Sequence, residues 1–264
     1  MRRPIIIAAL GALLCAPAVA QRPTPEEQKR TIDAAREIAV HYASKLPDFI
    51  CNEQVDRTDA VLPNNNIKTD RLVLQLSYFG QKERQKLVSL NGRPTDKPLE
   101  SLTGLITGGE FGSLLLGIFD PSSAAEFQWK EATTLRKHPA AVYTYRIARA
   151  KSHYIVGRRA ENGKMVESAA GYHGEVVLDH ETNRVLRLTA SADDIPKDSN
   201  IVQSSVAVDY DFVNVAGGSH LLPTRSESRM EHAYRRTANV VTFVDYQKFQ
   251  ADSTIDFGAP PKDH

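Results

Sequence analysis

The chain has 264 residues, 41% of them hydrophobic and 25% charged, with 33 Lys and Arg against 32 Asp and Glu. So even a balance gives no electrostatic ground for nucleic acid or an anionic membrane surface as the main partner. Only Cys15 and Cys51 occur, which leaves no room for a disulfide framework.

The first residues read as a secretory leader. Arg2 and Arg3 precede an apolar run, Ile5 to Leu14, and Ala18-Val19-Ala20 supplies a small-x-small cleavage pattern before Gln21. The run is well short of the roughly 20 residues that span a bilayer. Leu13 and Leu14 before Cys15 do not suit lipidation, and Pro4 after the arginine pair favours Sec-type export. A signal peptide over 1–20 and one domain over 21–264 are therefore expected, in the periplasm or outside the cell. Loss of Arg2 and Arg3 turns the formal +1 into −1. Cys51 is then the sole cysteine, and beside Phe49 and Ile50 it reads as a buried core residue.

The first mature element is a helix. Thr24, Pro25 and Glu27 form a capping box with proline at the first helical position, and Ile32, Ala35, Ala39, Tyr42 and Leu46 lie on one stripe before Pro47. The period then changes to two. Leu72, Leu74, Leu76 and Tyr78 alternate with mostly polar residues, as do Tyr143, Tyr145 and Ile147, and Val206, Val208, Tyr210 and Phe212. Between the first two of these strands, Leu99, Leu102, Leu105 and Ile106 are spaced for a second helix within 98–119. Turn signals at Gly80, Asn91-Gly92, Asn162-Gly163, 180–183 and Gly217-Gly218 make the strands hairpins. The predicted class is α+β: one curved antiparallel sheet, a half-barrel, with helices on its concave side.

No catalytic signature emerges. Gly157-x5-Gly163-Lys164 has one residue too many for a phosphate loop and reads as a hairpin. Ser113 in GGEFGSLLLG lacks a located base and reads as a polar opening to a buried segment. The histidines have no metal-ligand spacing; His173, Asp179 and His180 are the one neighbourhood where strand ends could assemble a site. Asp209 and Asp211 read as a solvated strand face. No catalytic residue, metal or cofactor is assigned.

Residues 171–225 run GYHGEVVLDHETNRVLRLTASADDIPKDSNIVQSSVAVDYDFVNVAGGSHLLPTR. This order of strand, acidic turn, returning strand, long strand, Gly-Gly turn and Leu-Leu-Pro resembles the outer-membrane lipoprotein-sorting superfamily, the LolA/LolB/RseB-like half-barrels. The chain also resembles secreted bacterial proteins of unassigned function that share LPDFICN-like and GEFGSLL-like segments. The resemblance implies a non-enzymatic carrier whose partner is a lipid or an acylated protein. On that reading the cavity is lined by Leu72, Leu74, Leu76, Tyr78, Val206, Val208, Tyr210 and Phe212. Two alternatives stand beside it: an interaction module with a filled core that contacts another envelope protein, and an enzyme whose site forms only on folding.

Overall fold

The computed structural model describes residues 22–64, 66–102, 108–159 and 165–249. Helix α1 (Pro25–Val40) starts with the capping box that its sequence dictates. The Thr24 amide donates to the Glu27 carboxylate at 2.8 Å, and the Glu27 amide donates to the Thr24 hydroxyl at 3.3 Å. Two amides that the helix cannot satisfy internally thus find acceptors. Thr24→Ala should lower stability by about 1 kcal/mol, read as a lower thermal midpoint. Ile32, Ala35 and Ala39 form the buried stripe, and Tyr42 continues it past the last turn.

Strands β1 (Phe49–Val61), β2 (Asn66–Phe79), β3 (Lys82–Leu90) and the two-residue β4 (Arg93–Pro94) follow. A short helix, α2 (Ser113–Phe119), precedes β5 (Glu126–Leu135) and β6 (His138–Ile147). The chain ends in β7 (Ile155–Arg159), β8 (Met165–Ala169), β9 (Gly171–Asp179), β10 (Val185–Asp193), β11 (Ile201–Val215), β12 (Gly218–His232) and β13 (Arg235–Lys248). Among the described residues, eleven strands make one open antiparallel sheet in the order β4-β3-β2-β1-β13-β12-β11-β10-β9-β6-β5. The helices lie on its concave side, so the α+β half-barrel read from the sequence is the fold.

Two features depart from a simple run of hairpins. Strand β1 pairs along its length with β13, from Phe49 opposite Lys248 to Val61 opposite Arg235. Strands β7 and β8 leave the main sheet as a separate two-stranded ribbon, so β6 pairs with β9. The ribbon is the hairpin expected around Asn162-Gly163, although that turn lies outside the described residues. The leader, 1–20, lies outside them too.

The second helix lies within the expected stretch 98–119, but not at the leucines that suggested it. Leucine spacing predicts helix through Leu99 and Leu102, yet the structure has only a 3-10 turn at Leu99–Ser101, and the α-helix is confined to Ser113–Phe119. Leu105 and Ile106 fall outside the described residues. Two glycines fix where α2 begins: Gly109 has φ 97° and Gly112 φ 137°. Neither conformation continues a right-handed helix. Gly112 also has no room for a side chain, because a Cβ there would lie 2.8 Å from the Ala43 Cβ.

The buried side chains form two large clusters. One joins α1 and α2 to β6, β9, β10 and β11 through residues such as Ile32, Phe119, Tyr143, Leu188 and Tyr210. The other joins β1, β2, β3 and β13 to Phe111, with a stacked Phe49–Tyr78 pair at 5.2 Å. The segment from Glu110 to Phe119 lies where the two meet.

Candidate functional site: the covered concave face

Four tyrosines fasten the cover to the sheet. Tyr42, just after α1, donates to the Leu221 carbonyl at 2.8 Å. From the sheet side, Tyr78 donates to the Ala43 carbonyl at 2.8 Å, Tyr172 to Gly117 at 2.8 Å and Tyr210 to Glu110 at 2.9 Å. Each ring packs in the core while its hydroxyl donates to a backbone carbonyl of a segment remote in sequence. Burial pushes the hydroxyl pKa of all four up, so they stay protonated donors.

Beneath the cover lie carboxyls that a plain core would not contain. Glu53 is on the inward face of β1 in alternation with Cys51 and Val55, and is only 4% exposed. Its two oxygens accept from the Gln85 amide at 3.1 and 2.8 Å. Loss of water drives its pKa up to about 8, and Glu110 and Glu83 add repulsion. Glu110, on the cover, is equally buried; it accepts from the Ser226 hydroxyl at 2.9 Å, and burial raises its pKa as well. Further along β1, Arg57 reaches Asp70 at 2.9 Å with both side chains under 10% exposed. Hydrogen bonds from Asn91 and Arg57 hold Asp70 below the usual carboxylate range.

Two small spaces adjoin these groups. One, of about 30 Å³, lies between Glu53, Arg57, Gln85, Glu110 and Asn239. It has room for one or two waters, and its lining supplies the polar partners that a buried water needs. The other, of about 120 Å³, opens at the surface between Ala39, Ala43, Tyr78, Glu83, Phe111 and Leu116.

The structure separates the eight residues expected to line one cavity. Leu72, Leu74, Leu76 and Tyr78 belong to the β1–β2–β3 cluster, while Val208 and Tyr210 are buried in the other, with Val206 and Phe212 packed at its margin. Leu72 and Leu74 touch the smaller space and Tyr78 the larger. By sequence pattern Tyr78 and Tyr210 are apolar lining; their hydroxyls give them a second role as fastenings. Glu53 was legible in principle, since the inward parity of Phe49, Cys51 and Val55 includes it. Glu110 carried no such signal, because its burial depends on where the cover folds down.

The histidine neighbourhood does not assemble. His173 pairs with Asp193 at 2.9 Å, Asp179 faces His138 at 3.3 Å, and His180 stands exposed beyond the other end of β9. The Asp179 carboxylate instead accepts from the Glu181 and Thr182 amides and the Thr182 hydroxyl, which shapes the turn. No group of three or more His, Cys, Asp or Glu among the described residues could hold a metal ion. Asp209 and Asp211 form ion pairs with Arg136, and Asp209 also with Arg187. Cys51 is buried, and burial pushes its thiol pKa far up, which leaves it protonated and unreactive. Ser113 is exposed at the start of α2.

No protein-family model and no curated protein matches the chain. Among solved structures it is similar to a DUF1329 family protein from Desulfovibrio piger, at 12% identity over 87% of this chain and 96% of that one, with a TM-score of 0.41. An outer membrane lipoprotein-sorting protein domain from Vibrio parahaemolyticus gives 12%, 87%, 96% and 0.39. A LolA superfamily protein from Nitrosomonas europaea gives 13%, 84%, 93% and 0.35. The lipoprotein-sorting superfamily that the sequence resembles is thus among these structures. At such values the likeness transfers no residue and no ligand.

Proposed function

We propose that the chain is an exported, non-enzymatic binding protein of the cell envelope that engages a protein partner at the covered face of its half-barrel. The observation that carries this reading is the size of the vacant space. Among the described residues the two buried clusters pack side chains against the sheet, and the larger of the two clefts described above, about 120 Å³, is small beside the roughly 300–1,000 Å³ of ordinary ligand pockets. It admits one side chain of a partner, not a long acyl tail. The exported address rests on the pattern of residues 2–20.

A second reading, a lipid or acylated protein held under the cover, has its own support. The cover rests partly on Glu53 and Glu110 rather than on apolar packing alone, so ionisation gives it a reason to lift. Lifting would open Leu72, Leu74, Leu76 and Val208 to a ligand.

Titration with a fluorescent fatty acid, together with native mass spectrometry of the purified protein, separates the two. The expected result is no co-purified lipid and no saturable binding at neutral pH. Saturable fatty-acid binding, weakened by a charge at Leu74 or Val208 in a variant that still folds, would replace the first reading with the second.

A further inference from the structure

We propose that the cleft between the end of α1, the β2–β3 turn and the start of α2 seats an apolar side chain of a protein partner, with an adjacent Lys or Arg of that partner placed on Glu83. The inference rests on the protein-partner reading above and names the chemistry of the partner segment.

Shape gives the first half. Ala39, Tyr78 and Phe111 are buried at the wall and floor and Ala43 is half-buried, whereas Leu116, at the mouth, is 45% exposed. An apolar cavity of about 150 Å³ takes up a benzene-sized group, so a space of about 120 Å³ matches a leucine- or phenylalanine-sized side chain. The chain cannot fill the cleft itself at Gly112, where the Ala43 Cβ already blocks a side chain.

Charge gives the second half. Glu83 lines this cleft, and no salt bridge engages it among the described residues. The ionisable groups around it are Tyr42 beyond α1, Tyr78 on β2, Cys51 and Glu53 on β1, Glu110 on the cover and Tyr210 on β11. Each of these is neutral or negative; the cations Lys82 and Arg84 flank Glu83 on its own strand, where alternation turns them to the opposite face. Although Glu83 is exposed along its strand, crowding at the cleft lifts its pKa to about 7, and Glu110 adds to the rise. A cation beside the mouth would meet a carboxylate with no internal partner. A fatty-acid anion would be repelled, which sets this site against free lipid.

The test uses isotope-labelled full-length mature protein titrated with three hexapeptides, Gly-Ser-Leu-Lys-Ser-Gly and its Leu-Gln and Ser-Lys counterparts. The Leu-Lys peptide should give saturable shifts at Ala43, Glu83 and Leu116, with affinity at least about fivefold above either counterpart at pH 8. That preference over Leu-Gln should shrink severalfold at pH 6, because Glu83 is then mostly protonated and offers no charge. Glu83→Gln should erase the Lys preference and keep the Leu preference. Ala43→Leu, checked for an unchanged fold by its amide spectrum, should abolish binding by filling the cleft. Equal binding of the Leu-Lys and Leu-Gln peptides, shifts elsewhere, or no shifts at all would overturn the proposal. Fatty-acid binding in the separate titration would instead overturn the reading on which it rests.

Discussion

Gly174→Ala should leave the protein unfolded or nearly so. A Cβ at this position in β9 would stand 1.9 Å from the carbonyl oxygen of Thr189 on β10, 2.7 Å from its carbon and 3.0 Å from the Tyr145 hydroxyl. None of these atoms is the loose end of a flexible chain. The Thr189 carbonyl is held by Tyr145 at 2.7 Å, and the Thr189 hydroxyl accepts from the Glu175 amide at 2.9 Å. Relief would require β9 and β10 to part between the Leu188–Val176 and Ser191–His173 pairs, next to the larger core cluster. Overpacking of a well-filled core costs about 1–3 kcal/mol, and loss of strand pairing adds to that. The total approaches the lower end of a typical domain's stability, roughly 5–15 kcal/mol. Gly80→Ala is the control: nothing lies within 4 Å of its Cβ, and only its φ of 55° opposes the change. That substitution should cost about 1–2 kcal/mol. Circular dichroism of the two variants checks both statements, and a cooperative melt near the wild-type midpoint for Gly174→Ala would refute the first.

The second large effect is a dependence on pH with an unusual sign. Most buried carboxylates are paired and lose stability in acid. Glu53 behaves in the opposite way, because its folded pKa, about 8, lies above the ordinary 4.5. Below pH 4.5 the carboxyl is neutral in both states and folding carries no penalty. As pH rises from 4.5 towards 8, the unfolded chain ionises while the folded one resists, so stability falls across that window and levels off above it. Each tenfold change in the acid dissociation constant corresponds to about 1.4 kcal/mol, which puts the loss from Glu53 on the order of 4 kcal/mol by pH 8. Glu53→Gln keeps an acceptor for Gln85 and removes the ionisation. The variant should therefore melt well above the wild type at pH 8 and close to it at pH 5. Parallel melting curves for the two proteins across that range would show that Glu53 keeps its water in the folded state. Glu110, also raised by burial, should leave a residual slope of the same sign.

How far the sequence carries depends on whether a signal is local. The helix start at Thr24 and Glu27 was readable because a capping box is complete within four residues. The inward rows Leu72, Leu74, Leu76 and Tyr78 were readable because strand alternation needs no partner to be seen. The β1–β13 pairing was not, since nothing in Phe49–Val61 names a strand so distant in the chain. Spacing of Leu99 and Leu102 did not locate α2, whose start is set by Gly109 and Gly112 in backbone conformations that periodicity ignores. The site lay deepest. A tyrosine counts as apolar in any pattern, yet Tyr42, Tyr78, Tyr172 and Tyr210 spend their hydroxyls on carbonyls of remote segments. Whether a glutamate is buried is likewise decided by what folds over it.

The pairing of β1 with β13 also fixes when the molecule can form. Val55 lies opposite Val241 in the middle of the sheet, so the seam between the two halves closes only after nearly the whole chain has been synthesised. Contacts so far apart in sequence make for slow folding, and a nascent chain paused before β13 holds β1 with one edge unsatisfied. For the exported protein proposed above, this lateness is an advantage. On that proposal, a precursor without its β1–β13 seam could still be threaded through a translocation channel, and its architecture would commit only on the far side.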